Sequence, residues 1–323
     1  MTGSFARGLA AGAAGTVALN TVSYLDMVLR GRPASQVPEQ LVDAVAARVS
    51  RAVPGGRAER DARRSALGAL AGIANGLGVG VLASTVRSLG VRFPAPVGAV
   101  LAGAASAAAT DGAVAALGVA DPRTWSAADW ATDAVPHLAY GAAVQTVLAA
   151  VPTPAERTTP RGPARAGLVV RSAVLGVAAG GRSSLGFAGP VLTAPTAAGA
   201  PGRVSRKHQV LSAAGVVVEL IADKQPGTPP RTEGAVLVPR LLAAGEGGGR
   251  LAARERSNGA LPVVAGIAGA LVGSYAGLGW RRWAVGRMPD TWAALVEDAA
   301  ALALAAVACL PGRDRRRPVV VPR

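Results

Sequence analysis

The chain is poor in almost everything that catalysis and extracellular folding draw on. One cysteine, Cys309, in 323 residues excludes an internal disulfide. The two histidines, His137 and His208, lie far apart, and with a single thiol they make no zinc or catalytic spacing. Aromatic residues form only 3% of the chain, so its basic segments lack interleaved rings on which bases could stack. Lysine is confined to Lys207 and Lys224. No P-loop, G-x-S-x-G elbow or dinucleotide-binding glycine motif occurs. No catalytic residue, metal site or cofactor is assigned, and an enzyme is the least supported class.

What is present is apolar and small. Half of the residues are hydrophobic, and 42 more are glycine. This bias suits helices that pack backbone to backbone in a membrane. With arginine far in excess of lysine, it also reads as the product of a GC-rich bacterial genome. A net charge of +15 could point to nucleic acid. The arginines, however, cluster at the ends of apolar runs: Arg57, Arg60, Arg63 and Arg64 before one, Arg313, Arg315, Arg316 and Arg317 after the last. Cytoplasmic flanks of membrane spans look like this. The expected partner is therefore the lipid bilayer and not nucleic acid, and the expected compartment is the bacterial inner (cytoplasmic) membrane. The apolar run after Arg7 continues through "NTVSYLDMVL", too far for a signal peptide, and reads as a retained first span.

A bilayer core needs about 20 apolar residues per helix. Candidate spans are 5–29, 65–89, 94–119 and 135–151, with an amphipathic helix over 39–53 on the membrane surface or against the bundle. The acidic "DPRTWSAADWATDA" brings Trp125 and Trp130 to an interface. Residues 152–165 hold four prolines and four charges and read as a polar linker. A C-terminal membrane domain over 166–311 and a basic tail over 312–323 follow. In that domain the run 166–180 breaks at "GGRSSLG" and resumes over 187–198, which predicts a broken or re-entrant helix. Residues 208–222 are marginally long enough to span, "VLVPRLLAAGEGGGRLAA" reads as a short helix broken by glycines, and 259–283 and 291–310 are spans. The fold expected is an all-α, multi-pass membrane bundle of seven to nine membrane helices in two domains, 1–151 and 166–311. The basic loop 30–64, the linker and the tail all fit the cytoplasmic side. Three spans between the first two cannot satisfy both, so one span is misassigned, re-entrant or inserted against the rule.

Two patterns stand out. Gly68, Gly72, Gly76 and Gly80, and again Gly269, Gly273 and Gly277, recur every fourth residue and predict grooves for close helix packing, with self-association through those faces as one outcome. The second pattern is acid inside apolar sequence. Glu219 and Asp223 share one helix face, followed by Lys224 and Arg231, while Glu297 and Asp298 lie in "ALVEDAAALALAAVA". Ionisable groups at membrane depth usually face a partner or a water-filled cavity. These residues, with Arg182 and the more isolated Asp111, form a candidate polar pathway. The other reading is structural: the acids pair with Arg182, Arg231 or Arg240 and fix helix register. "VVVELIAD" and "ALVEDAAA", each ending in Pro-Gly (Pro226–Gly227, Pro311–Gly312), also hint at a degenerate internal repeat.

The string Glu-x-x-x-Asp-Lys-x-Pro-x-x-Pro-x-Arg-Thr over Glu219–Thr232, with Gly181–Ser183, the glycines near Gly269 and "VEDAAA" at Val296–Ala301, resembles an uncharacterised bacterial membrane family, domain of unknown function 4126. The resemblance covers about residues 166–310. It implies a multi-pass membrane domain and no established activity. Two classes of function are open: a transporter or channel-like permease for an ion or small solute, and a non-catalytic packing or assembly protein acting through its glycine faces.

Overall fold

The computed structural model describes residues 2–159, 161–196, 203–224 and 231–310. The Pro226–Gly227 and Pro311–Gly312 pairs, Pro229 and the basic tail at 312–323 lie outside the described residues. Among the described residues the regular structure is helical, and the β pairing is one isolated bridge between Gly162 and Ser257. The chain forms two compact units, residues 1–88 with 92–159, and residues 89–91 with 160–323.

The first unit contains α1 (Thr2–Arg30), α2 (Val37–Arg48), α3 (Arg57–Ser88), α4 (Ala95–Ala116), α5 (Ala127–Ala150) and the short α6 (Pro154–Thr158). α1 packs on α3 and α5, α4 on α5, and α2 on α3. No residue of α2 is buried. Its polar side holds it down, with Ser65 donating to Glu39 at 2.6 Å and Arg64 paired with Asp43. Glycine lets α1 and α3 meet. A Cβ on Gly12 would come 2.5 Å from the Gly76 carbonyl oxygen, and one on Gly80 would come 2.5 Å from the Gly12 backbone. Behind this crossing the fully buried Tyr140 donates its hydroxyl to the Gly76 carbonyl at 2.6 Å.

The expected glycine groove on α3 is only partly realised. Gly68 faces Pro38 of α2, and Gly76 and Gly80 face α1, but Gly72 has nothing within 4 Å. Steps of four residues advance about 40° around a helix, so the four glycines wind across α3 instead of lining one groove. Gly72 falls between the two partners.

The polar linker expected over 152–165 is not a plain connector. Thr153 and Glu156 form a capping box that starts α6, and Glu156 is buried. Likewise the acidic stretch before α5 supplies that helix's first turns, through a capping box of Ser126 with Asp129.

The second unit contains α7 (Ala166–Gly181), α8 (Ser183–Leu192), α9 (Arg206–Ala222), α10 (Gly234–Arg254), α11 (Ala260–Ala284) and α12 (Asp290–Cys309). α7 and α11 pack most closely. Gly269 and Gly273 sit against the carbonyls of Ala173 and Val177, and a Cβ on Gly180 would lie 2.6 Å from the Ser274 nitrogen. Gly277 differs, because its bare Cα leaves room for the Arg231 guanidinium and the Glu297 carboxylate. α10 is one continuous helix, not the short, glycine-broken one expected. Its glycines serve close approach, with Gly247 on the Gly186 carbonyl and Gly248 on that of Pro262. The break after α7 is also shorter than expected: Arg182 alone leaves helical geometry (φ −137°, ψ 107°), and Ser183 resumes the helix.

The direction of α8 follows from its contacts. Arg240, near the start of α10, donates to Gly180 at 3.2 Å, and Arg254, at the end of α10, donates to Thr193 just past α8 at 3.1 Å. Arg171, near the start of α7, donates to the Leu310 carbonyl at the end of α12 at 2.9 Å. α7 and α8 thus form an antiparallel helical hairpin that turns at Arg182.

Among the described residues four helices, α3, α4, α11 and α12, are long and apolar enough to cross a membrane, while α7 and α8 are apolar but shorter.

Candidate functional site

The turn of the α7–α8 hairpin gathers charges from five further segments. Arg182 is fully buried and is its centre. Its Nε donates to Asp298 Oδ1 at 2.7 Å, and Nη2 lies 2.6 Å from the same oxygen. That second approach is too bent to count as a hydrogen bond. Nη1 donates to the Gly181 carbonyl at 2.7 Å, and lies 2.8 Å from Asp223 Oδ2 and 3.3 Å from Glu297 Oε1. One guanidinium thus binds carboxylates from the end of α9 and from α12, far inside the ~10 Å over which charges couple.

The two acids of α12 have further partners. Lys224 donates to Asp298 Oδ2 at 2.5 Å and to the Leu220 carbonyl at 2.8 Å. Glu297 is paired with Arg231, and Arg281 of α11 donates its Nε to Glu297 Oε2 at 2.8 Å. Arg281 also reaches Asp290, at 2.8 Å. Glu219 takes a different route. Its Oε1 accepts from the Ser183 N–H at 2.7 Å and from the Ser183 hydroxyl at 2.5 Å, and its Oε2 accepts from the Ser184 N–H at 2.7 Å. The carboxylate of α9 therefore occupies the electropositive N-terminus of α8. Arg240 is also buried, but its bonds go to the carbonyls of Gly180 and Val236, and no described carboxylate is within ion-pair distance of it.

Sequence reasoning named Arg182, Glu219, Asp223, Lys224, Arg231, Glu297 and Asp298, and the structure brings all seven together. It did not name Arg281, or Ser183 and Ser184 as the partners of Glu219. A cation near the end of the helix that precedes "VED" was the available signal for the first. Asp111 is not in this cluster. It lies on α4 of the first unit, where its ionisable neighbours are Asp133 and His137. His137 Nδ1 is 2.9 Å from the Asp133 carbonyl oxygen. Asp26 is held by Arg30 at 2.6 Å and Arg32 at 2.5 Å. Among the described residues no group of three His, Cys, Asp or Glu side chains is arranged to hold a metal ion.

The first unit has a buried charge centre of its own that sequence reasoning missed. Arg7 of α1 donates Nε to Ser84 Oγ at 3.0 Å, Nη1 to Val151 O at 3.3 Å and Glu156 Oε2 at 2.7 Å, and Nη2 to Ser84 O at 3.1 Å and Ser88 Oγ at 3.0 Å. All five guanidinium protons are used. Burial pushes the Glu156 carboxyl up, but the hydrogen bonds from Arg7 and Thr153 and the charges of Arg7 and Arg87 outweigh it. The carboxyl is held below its ordinary value.

No protein-family model, curated protein or solved structure matches the chain.

Proposed function

We propose that the chain is a multi-pass protein of the bacterial inner membrane whose second unit is a permease-like domain for an ion or small solute, with the cluster around Arg182 as its closed polar pathway. The observation that carries this is the buried Arg182 at the turn of the α7–α8 hairpin, bound to acids of α12 and of the end of α9.

Energetics support a role beyond stability. Taking ions out of water costs several kcal/mol each, and apolar residues of similar volume are often as stabilising as a buried ion pair. A bundle needing only a fastener has cheaper solutions than this network. Glu297 and Asp298 are the eighth and ninth residues of α12, which places them about 10–12 Å along the helix from its start. At that depth ionisable groups mark pathways more often than anchors. Half-helix ends facing charged groups are also how broken-helix transporters build their sites.

Membrane insertion has separate support. Large apolar side chains are exposed even on helices outside the four apolar candidates, such as Leu29 (82%) on α1 and Val218 (64%) on α9. A bilayer would cover such faces, and counting α1, α5 and the α7–α8 hairpin as embedded would bring the total to the seven to nine membrane helices expected. The resemblance to domain of unknown function 4126 belongs to this proposal and adds no activity.

The second reading is a packing or assembly protein. It is favoured by the full pairing of Asp223, Glu297 and Asp298 with cations. Flux measurements on proteoliposomes separate the two. A panel of inorganic ions and small organic acids and amines, taken up by wild type and not by Asp298→Asn protein that stays folded, supports the pathway. Absence of uptake across the panel, with both proteins folded, leaves the assembly reading standing.

A further inference from the structure

The two ends of the second unit differ in charge. At one end α7 begins, α10 ends, α12 ends, and the chain passes from α8 to α9. The contacts of Arg171 with Leu310 and Glu255, of Arg254 with Thr193, and of Gln209 with the Ala194 carbonyl tie these segments together. Segments 161–171, 203–207 and 250–256 carry three cations each, nine in all, against Glu246 and Glu255, which leaves +7. The hairpin end carries the unit's other seven described cations against six acids, which leaves +1.

The excess is also available. Arg165, Arg203, Arg206, Lys207 and Arg256 are exposed, and no described carboxylate is within ion-pair distance of any of them. Beside them lies an apolar band: Val170, Val210, Leu211, Leu261 and Leu310 are each more than half exposed. Cations above an apolar belt match a leaflet in which phosphate groups overlie acyl chains. Flexible Arg and Lys stems suit that boundary, with their methylenes in the apolar layer and their charges at the headgroups.

We infer that this end of the second unit is an interaction surface for anionic phospholipid headgroups, and that it sits at the more negatively charged leaflet with the Arg182 turn toward the other. The orientation question raised by the order of basic loops is thereby decided by helix ends instead. The inference rests on the reading of the second unit as membrane-embedded. If carbonate releases the chain from membranes, that reading fails. If the chain stays in the pellet but ignores anionic lipid, only this inference fails.

The test is thermal unfolding of the full chain in detergent micelles doped with phosphatidylglycerol or with phosphatidylcholine. Phosphatidylglycerol should raise Tm by about 2–4 °C over phosphatidylcholine. Arg206→Gln with Lys207→Gln should abolish most of that rise, and Arg282→Gln with Arg287→Gln at the hairpin end should leave it. Equal Tm in the two lipids, equal loss in both double variants, or the same rise from inorganic phosphate alone would overturn the proposal. Should the first variant not fold, a salt series on wild type decides. The lipid-dependent rise must fade between about 0.05 M and about 1 M salt, where screening shortens to a few ångströms, and a rise that persists counts against headgroup binding.

Discussion

Each unit builds a charge centre around a buried arginine, Arg7 in the first and Arg182 in the second, and the two do opposite things with it. Arg7 spends its five protons on one carboxylate, two serine hydroxyls and two carbonyls. Its charge meets one acid, and that acid also caps α6, so the centre ties the chain after α5 to the ends of α1 and α3. Arg182 instead meets three carboxylates, and two of them, Glu297 and Asp298, are shared with other cations. A saturated centre has one arrangement. A shared network can exchange partners with little change in the number of ion pairs. The first has the form of a clasp, and the second the form of an element that can rearrange.

Removing the arginines tests this contrast most severely. Arg182→Met leaves Asp223, Glu297 and Asp298 short of a common partner, and breaking a buried pair this way costs about 3–5 kcal/mol. The expected result in a detergent melt is loss of most cooperative unfolding. Asp298→Asn added to Arg182→Met should recover part of it by removing the stranded charge. Arg7→Met leaves one carboxylate with the longer Arg87 contact at 3.8 Å, and adding Glu156→Gln should recover more of the loss than Asp298→Asn does for Arg182. Equal recovery in the two units would erase the distinction between a one-acid clasp and a shared network.

A smaller effect sharpens the comparison at the glycines. Gly76→Leu should lower stability by about 1–3 kcal/mol through overpacking against Thr16 and Tyr140. Gly72→Leu should change it by less than about 0.5 kcal/mol, since that position is open. In the second unit, Gly273→Ala sets a methyl against the Val177 backbone, whereas Gly277→Ala meets side-chain ends of Arg231 and Glu297 that can shift. The first should lower Tm more than the second. The reverse order would mean that the ion network is more rigid than the α7–α11 packing.

These outcomes also mark what the sequence could carry. Acids inside apolar runs were legible because charge at such positions demands a partner, and the partners Arg182, Lys224 and Arg231 were equally conspicuous. α10 was misread because glycine lowers helix propensity locally, while here tertiary contact with Gly186 and Pro262 overrides that cost. Gly72 was misassigned because a period of four is not the helical period. The Arg7 centre was hidden because its partners are 77 to 149 residues away, although Thr153-x-x-Glu156 already announced a capping box inside the supposed linker. Glu219 was placed correctly but given the wrong class of partner, since backbone N–H groups leave no mark in the sequence.

The mildest test is acid, and it bears on the clasp alone. The Glu156 carboxyl titrates below its ordinary value in the folded chain, so the unfolded chain binds a proton first as pH falls. Between the ordinary glutamate value and the lower folded one, the unfolded state holds more protons, and stability rises with pH. The contribution of the Arg7–Glu156 contact is therefore complete above the ordinary glutamate value and is lost as pH drops through the folded value. Melts of wild type and Glu156→Gln from about pH 7 to about pH 3 should converge at the acid end, because protonation makes wild type resemble the amide. The variant should be the less stable of the two at neutral pH and show the shallower decline. Parallel curves would mean that Glu156 contributes through its capping geometry and not its charge. The Arg7 centre would then be held by hydrogen bonds without a charge contribution, and the contrast with the ion-paired Arg182 centre would become one of kind and not of number.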